Sequence, residues 1–282
     1  MDQSKFKIVK TSQDHFSIQN LELGEIMHNP LGPWKEVHEL YLYPSQLKER
    51  LLSCDPSQEL VLYDVGLGAG ANAMGALLTA FEAMQSSKTT ASFQIISFEK
   101  ELRLAEFALK ERKFFPEFSW AWEAFEKLFR DRVWQHPEQH LTWKLHVGDF
   151  TQTIQASHPT ADIIFYDPYS PKRNEEMWSY KTFSKLRNKC HANTRETLLL
   201  TYSRATSVRA ALLLAGFYVG VGKSIGLKEE TTLASTLPDL IPLLDQRWLE
   251  RWKRSQNPYP CDLLLEGEKE VWSQKIESHP QF

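Results

Sequence analysis

Two turns with residue types suited to ligand binding follow apolar segments that lie far apart in the chain. The first follows residues 60–65 and contains Gly66, Gly68 and Gly70, with Asn72 just beyond. Because glycine has no side chain, this turn leaves its backbone open to close approach by a ligand. Its spacing is G-x-G-x-G-x-N, whereas the dinucleotide fingerprint is G-x-G-x-x-G. The turn therefore favours a nucleotide-like cofactor without a pyrophosphate; the alternative is an ordinary strand-to-helix turn.

The second turn, Asp167-Pro168-Tyr169-Ser170-Pro171, follows the apolar segment 161–166. Pro168 keeps Asp167 extended and makes the turn rigid. A carboxylate suits a cationic or amine acceptor, and the ring of Tyr169 offers a flat face to a planar substrate. We predict that Asp167 and Tyr169 are the catalytic residues and that Asp167 also borders the cofactor. The alternative is a capped turn at Asp167 with Tyr169 as a core aromatic.

Two more acidic residues stand where apolar segments end. Glu99 follows residues 93–98, a position from which a carboxylate binds the ribose hydroxyls in dinucleotide folds. Its alternative role is a favourable charge at a helix N-terminus. Asp149 follows Gly148 and is a candidate acceptor for an adenine amino group, with a helix cap before Phe150 as the alternative.

The elements that must position these turns alternate between strands and helices. Near-continuous apolar strands separated by helices predict a Rossmann-like, doubly wound α/β fold with a mainly parallel sheet covered on both faces. Segments 216–219 and 231–235 predict a final antiparallel pair. The other strands are expected at 60–65, 93–98, 141–147, 161–166 and 197–202, and the helices near 71–84, 101–113, 118–134, 175–190 and 206–215.

Three regions are expected along the chain: an N-terminal β-rich appendage (1–55), a central domain (56–237) and a C-terminal helical tail (238–282) packed on it. In the appendage, Tyr41 to Pro44 is expected to be extended, and Ser45 to cap a helix through Leu52.

The tail is expected to contain a helix near 239–254. Two tryptophans in this helix, Trp248 and Trp252, favour packing against the domain. The cations Arg247, Arg251 and Arg254 would then form a solvated face, although phosphate contact by this face is an alternative.

Composition narrows the function classes. The 282 residues carry a net charge of −3, so nucleic-acid binding requires a local basic patch. Cys54, Cys190 and Cys261 are isolated, which argues against a disulfide framework and a zinc site, and no metal is predicted. With no signal peptide and no apolar run of membrane-spanning length, we expect a cytoplasmic protein that does not engage membranes.

The sequence resembles the class I S-adenosylmethionine-dependent methyltransferases and, among them, the methyltransferase domain of the MnmC family of tRNA-modifying enzymes. The resemblance covers residues 60–236 and is most specific over the stretch from Asp167 to Trp178. Its other parts are Asp64 to Asn72, Ser97 to Lys100, Thr201 to Ser203, and Val208 to Phe217.

This resemblance implies S-adenosylmethionine as cofactor and a methyltransferase domain at 56–237. It also implies conversion of 5-aminomethyl-2-thiouridine to 5-methylaminomethyl-2-thiouridine at the tRNA wobble position. The matching cofactor-binding positions are Gly66, Gly68, Gly70, Asn72, Glu99, Asp149 and Asp167, and the acceptor-side positions are Asp167 and Tyr169.

Two departures from the bifunctional members matter. The chain lacks their flavin-dependent oxidase domain, so it resembles a stand-alone methyltransferase, with a separate oxidase as an expected partner. It also has Asp-Pro-Tyr-Ser where they tend to have Asp-Gly-Phe-Ala.

The expected macromolecular partner is the tRNA anticodon loop, contacted by Lys172 and Arg173, with Tyr169 stacking on an unpaired base. One alternative is a small-molecule amine methyltransferase or aminopropyltransferase on the same fold, which the near-neutral charge favours. The other is a non-catalytic copy of the fold that acts as a binding protein.

Overall fold

The computed structural model of the chain describes residues 5–27, 30–87, 91–192, 195–222, 230–263 and 268–282. Its strands are β1 (Phe6–Lys10), β2 (Phe16–Asn20), β3 (Glu25–Ile26), β4 (Glu59–Val65), β5 (Ser92–Glu99), β6 (Val133–Gln135), β7 (Leu141–Val147), β8 (Ile163–Tyr166), β9 (Leu198–Thr201), β10 (Tyr218–Gly222) and β11 (Thr231–Ser235).

The α-helices are α1 (Pro33–Val37), α2 (Tyr43–Ser45), α3 (Leu47–Ser53), α4 (Ala71–Ser87), α5 (Arg103–Lys110), α6 (Ala121–Asp131), α7 (Phe150–Thr153), α8 (Tyr180–Arg187), α9 (Thr206–Leu214), α10 (Gln246–Lys253) and α11 (Lys269–Glu277). No helix in the described ranges has the length and apolar character needed to cross a membrane.

The central sheet has the strand order β10-β11-β9-β8-β4-β5-β7-β6. The five central strands of this sheet are parallel to one another: β9, β8, β4, β5 and β7. At one end β11 pairs antiparallel with both β9 and β10, and at the other end β6 pairs antiparallel with β7. The parallel strands therefore lie in the order third, second, first, fourth, fifth, which is the doubly wound arrangement. The predicted fold class is confirmed, including the final antiparallel pair.

The strand order reverses between β4 and β8, and this point decides where a ligand can bind. Val65 pairs with Tyr166, so the two strands end side by side. In open α/β sheets, ligands bind outside the carboxyl ends of the strands at such a reversal. The glycine turn after β4 and the Asp167 turn after β8 are thus neighbours in space.

The N-terminal segment combines a small sheet with helices. Strands β1, β2 and β3 form an antiparallel sheet, and residues 33–45 and 47–53 are helical. The helix cap expected at Ser45 is wrong, because Gln46, in a left-handed conformation, precedes α3. The extended conformation expected from Tyr41 to Pro44 is wrong, because a π-helical turn, His38–Leu42, continues into α2. Val37, Leu40 and Tyr41 recur at helical spacing and are all buried, so the hydrophobic pattern overrides the proline cue.

Three further element boundaries differ from the expectations. The helix expected near 175–190 is a 3₁₀ turn, Glu175–Trp178, followed by α8, which the Ser179 side chain caps. Residues near Trp134 form the edge strand β6 instead of continuing a helix, because Arg132 adopts a left-handed conformation that ends α6. The tail helix is shorter than expected, and α11 follows it.

Two hydrophobic clusters cover the two faces of the sheet. The N-terminal helices pack with α4, α5 and α6 on one face, where Leu47 and Leu51 are fully buried. The tail packs on the other face with α8 and α9, and Trp248 and Trp252 lie inside this second cluster. The packing interpretation of α10 is confirmed, because Trp248 and Trp252 are buried while the three arginines of this segment are exposed. The division into three domains stays a prediction.

Candidate functional site

A cavity of about 550 Å³ opens at the carboxyl ends of the parallel strands. This volume lies within the range of about 300–1,000 Å³ that small-molecule sites occupy. One wall comes from the N-terminal sheet, including Asn20 and Glu25. The predicted site residues in the wall are Gly66, Gly68, Asn72, Glu99, Asp149, Asp167 and Tyr169.

Gly66 brings the two strand-end turns into contact. It has a φ of +91°, and its N–H donates to the carbonyl of Phe98 at 3.0 Å. A Cβ atom on Gly66 would lie 2.7 Å from the carbonyl oxygen of Asp167 and 3.0 Å from the Cα of Pro168. Only glycine lets the backbones of these two turns meet.

Gly70, by contrast, does not line the cavity. Its φ is +84°, and a Cβ there would lie 2.8 Å from the Phe125 ring on α6. Close helix packing therefore explains this glycine. Cofactor contact at Gly70 stays a prediction that the geometry does not support.

Glu99 joins the end of β5 to the glycine turn. One carboxylate oxygen, Oε2, accepts from the Gly68 N–H at 2.9 Å, and Oε1 accepts from the Lys100 N–H at 2.7 Å. Burial raises the pKa of Glu99, and these amide hydrogen bonds oppose that shift. Sequence reasoning placed this carboxylate at the site but did not foresee its bond to Gly68.

Asp149 caps a helix and also lines the cavity. Its Oδ1 accepts from both the N–H and the hydroxyl of Thr151 at 2.8 Å, which fixes the start of α7. The capping alternative is therefore confirmed. Contact with an adenine amino group stays a prediction.

The Asp167 turn is held at several points. Asn72 donates from Nδ2 to Asp167 Oδ2 at 2.7 Å, and the Tyr202 hydroxyl donates to the Pro168 carbonyl at 3.0 Å. Trp178 donates from its indole nitrogen to the Tyr169 carbonyl at 2.9 Å. The Tyr169 ring is 36% exposed and lines the cavity, so it is not a core aromatic.

Among the cavity-wall residues not predicted from the sequence are Glu36, Tyr41 and Tyr202. Glu36 and Tyr41 come from the helical part of the N-terminal segment and are buried. The helical spacing of Val37, Leu40 and Tyr41 could have revealed this segment, but the expected extended conformation at Tyr41 obscured it. Tyr202 directly follows β9, so the rule about strand ends that found Asp167 also applies to it.

The cavity wall is strongly acidic. It contains eight carboxylate side chains against three basic ones, which are Lys5, Lys100 and Arg103. Such a wall favours ligands that carry positive charge. In the described part of the chain no cluster of three or more His, Cys, Asp or Glu side chains is arranged to hold a metal ion.

Arg173 links the Asp167 turn to the N-terminal sheet. Its Nε lies 3.5 Å from a carboxylate oxygen of Glu25, and its Nη2 donates to the Leu23 carbonyl at 3.2 Å. Lys172 beside it is exposed. Of the two cations expected to contact RNA, Arg173 thus also helps to fix the wall of the cavity.

Asp64 lies buried on β4 just before the glycine turn. Its Oδ2 accepts from the Ser97 hydroxyl at 2.7 Å, while its Oδ1 has no hydrogen-bond partner among the described residues. Burial raises the pKa of Asp64 to about 7, and the nearby charges of Asp167 and Glu99 add to the shift.

We expect Asp64→Asn to change how stability depends on pH. A carboxyl whose pKa is raised on folding contributes fully below its unfolded pKa of 3.8, and this contribution is lost as pH rises towards 7. Urea unfolding should show the variant gaining up to roughly 4 kcal/mol over wild type between pH 4 and pH 8. Asp131→Asn, the same change on the surface, should show no such gain. If the free energies of unfolding of wild type and Asp64→Asn changed in parallel with pH, the raised pKa of Asp64 would be refuted.

Comparison with known proteins agrees with this geometry. Residues 113–237 match the model of a family described as S-adenosyl-L-methionine-dependent methyltransferase. An uncharacterized protein of Methanocaldococcus jannaschii is 25% identical over 83% of the chain and 61% of its own length. The tRNA 5-methylaminomethyl-2-thiouridine biosynthesis bifunctional protein MnmC of Hahella chejuensis is 27% identical over 74% of the chain.

The chain covers only part of these relatives, 33% of the length in the case of the Hahella protein. Among solved structures, MNMC2 from Aquifex aeolicus superposes with a TM-score of 0.70 at 23% identity. That alignment covers 98% of this chain and 84% of the other.

The fold is shared with MNMC2, and residues 113–237 match the class of S-adenosyl-L-methionine-dependent methyltransferases, which indicates S-adenosylmethionine as the cofactor. The cavity fits this cofactor, because the glycine backbone is uncovered at Gly66 and Gly68 and the acidic wall suits a ligand with positive charges. Within that class the chain resembles the methyltransferase domain of MnmC.

Proposed function

We propose that this methyltransferase methylates the amine of 5-aminomethyl-2-thiouridine at the tRNA wobble position, forming 5-methylaminomethyl-2-thiouridine. The observation that carries the proposal is the Asp167 carboxylate, which Asn72 holds in an acidic cavity wall against the Gly66 turn. The names of the MnmC relatives supply the specific substrate.

We assign the cofactor to the β4–β5–β7 side of the cavity. The backbone at Gly66 and Gly68 approaches it, with Asn72 at the start of α4 beside them. Glu99 keeps its amide bonds and accepts from the ribose hydroxyls. Asp149 caps α7 through Oδ1 and accepts from the adenine amino group through its other oxygen.

We assign the acceptor amine to Asp167. A primary alkyl amine is mostly protonated at neutral pH and has no free lone pair, so the site must hold the ammonium and then accept or relay a proton. Asp167 holds the ammonium and accepts or relays its proton, while the rigid turn fixes the direction from which the amine approaches the methyl group. Held by Gly66, Gly68 and Glu99, the cofactor would supply an electrophilic methyl group on a positively charged sulfur, with a neutral thioether as its leaving group. Asp167 takes the proton that the nitrogen must lose before its lone pair can accept this methyl.

The proposed tRNA contacts come from the exposed residues of the Asp167 turn and from the two cations that follow it. Tyr169 is exposed enough to stack on an unpaired anticodon base. Lys172 and Arg173 are exposed beside it and suited to phosphate contacts. A separate flavin-dependent oxidase is the expected source of the aminomethyl substrate, and the cytoplasm the expected location.

A second candidate function is methylation of a small-molecule amine. Two observations favour it: the wall is acidic, which repels a polyanion, and the Arg173 guanidinium is already engaged with Glu25 and the Leu23 carbonyl. An aminopropyltransferase on the same fold would use the same acidic cavity.

The deciding experiment incubates the protein and methyl-labelled S-adenosylmethionine with unmodified tRNA, aminomethylated tRNA and a panel of small amines. Label in the wobble nucleoside of aminomethylated tRNA, and not of unmodified tRNA, is the expected result. Label in small amines alone would overturn the tRNA assignment in favour of the second candidate. Failure to bind S-adenosylmethionine in calorimetry would indicate a non-catalytic copy of the fold.

A further inference from the structure

Tyr41 places a buried hydroxyl group in the cavity wall. The residue is 1% exposed, and its ring packs on Phe165 with the ring centroids 4.9 Å apart. Its hydroxyl has no hydrogen-bond partner of good geometry among the described residues, although the Asp167 carboxylate lies beside it. A buried polar group without a partner is rare in proteins, and each instance needs an explanation.

Other buried tyrosines near the sheet show how the fold normally satisfies this group. The hydroxyl of Tyr63 donates to the Pro159 carbonyl at 2.6 Å, and the hydroxyl of Tyr166 donates to the Met177 carbonyl. The half-buried Tyr202 also donates its hydroxyl to a backbone carbonyl, that of Pro168. Each of these three hydroxyls donates to a backbone carbonyl, whereas the Tyr41 hydroxyl does not. The hydroxyl of Tyr41 is therefore available to a ligand in the cavity.

The surroundings of Tyr41 keep it a neutral phenol. Burial raises its pKa well above the ordinary value, and the negative charges of Asp167 and Glu36 raise it further. A neutral phenol both donates and accepts a hydrogen bond. With Asp167 beside it, the hydroxyl can donate to that carboxylate and still accept from a second group.

We propose that Tyr41 contacts the acceptor amine, with the phenol oxygen accepting one N–H of that amine while the phenol hydrogen points to Asp167. This assignment rests on the proposed function only in requiring an amine acceptor. Two acceptors at fixed positions, Asp167 and Tyr41, then hold the two N–H groups of the amine, and the lone pair of the nitrogen is free to face the incoming methyl. The N-terminal segment thus supplies a substrate-contacting residue that the motifs of the central domain do not contain.

Binding of two cofactor analogues tests this contact without any acceptor. S-adenosylhomocysteine has no group at the methyl position, whereas sinefungin carries a primary amine there, next to the place proposed for the acceptor nitrogen. In calorimetry, Tyr41→Phe should weaken sinefungin by about fivefold to tenfold and change S-adenosylhomocysteine by less than about twofold. An unchanged ratio of the two affinities would overturn the proposal.

Tyr63→Phe is the matched control, because it removes a buried phenol hydroxyl outside the cavity wall. It should lower Tm through the lost bond to Pro159 and leave both analogue affinities at wild-type values. If Tyr41→Phe behaves like this control, its role is structural and the proposal fails.

A second measurement separates this proposal from the proposed function. On aminomethylated tRNA, Tyr41→Phe should lower kcat/KM about tenfold or more, with the KM for S-adenosylmethionine unchanged. Wild-type turnover by Tyr41→Phe would refute the contact while leaving the tRNA assignment intact. An inactive wild type would refute the tRNA assignment, and the analogue affinities would still decide the role of Tyr41.

Discussion

Asp167→Asn is expected to slow methylation of the amine acceptor by about 10²- to 10⁴-fold, the range for loss of a positioned acid–base group. The amide keeps the shape of the carboxylate, and its oxygen can still accept from Asn72, so the turn should keep its conformation. The amide has no charge to hold an ammonium and does not take up a proton. Single-turnover rates with labelled S-adenosylmethionine would measure the loss.

The cofactor side should be nearly unaffected by this substitution. S-adenosylhomocysteine affinity is expected to stay within about threefold of wild type, a change of less than about 1 kcal/mol. Asp149→Asn serves as the control, since it alters another wall carboxylate and should raise the KM for S-adenosylmethionine more than it lowers kcat. Turnover by Asp167→Asn at the wild-type rate would remove Asp167 from the chemistry.

The sequence was sufficient to place Asp167 and Gly66 in one site. Both residues end apolar strands, and the strand order of a doubly wound sheet brings the first and fourth parallel strands together. Neighbouring strands are in fixed register, so their ends meet however far apart they are in the chain. The position of Glu99 followed from the same rule.

Other parts of the site could not be predicted from where the strands end, because they depend on how separate elements pack against one another. Tyr41 reaches the cavity only because the N-terminal helices pack against the sheet, and a Tyr-Pro sequence suggested an extended segment there. The role of Gly70 depends on Phe125, which belongs to a distant helix. Arg173 looked like a free cation because its partner Glu25 is on another sheet.

The contact between the two turns explains why a small substitution at Gly66 should affect both halves of the site. The three nearest heavy atoms to a Cβ at this position are all backbone: the carbonyl oxygen of Asp167 at 2.7 Å, its carbon at 2.9 Å and the Cα of Pro168 at 3.0 Å. Backbone does not move aside as a flexible side chain does. The Asp167 turn would have to shift as a unit, together with the carboxylate that it carries.

Gly66→Ala is therefore expected to lower Tm by about 5–15 °C, from roughly 1–3 kcal/mol of overpacking and about 1–2 kcal/mol of left-handed strain. Methylation should fall about 10²-fold or more, because a shift of about 1 Å can cost that much. Gly216→Ala isolates the strain, since Gly216 has a similar φ of +85° and nothing within 4 Å of its Cβ position. That control should lose only a few degrees of Tm and keep wild-type turnover. Equal thermal shifts for the two variants, with full activity in both, would show that the Asp167 turn does not rest against Gly66.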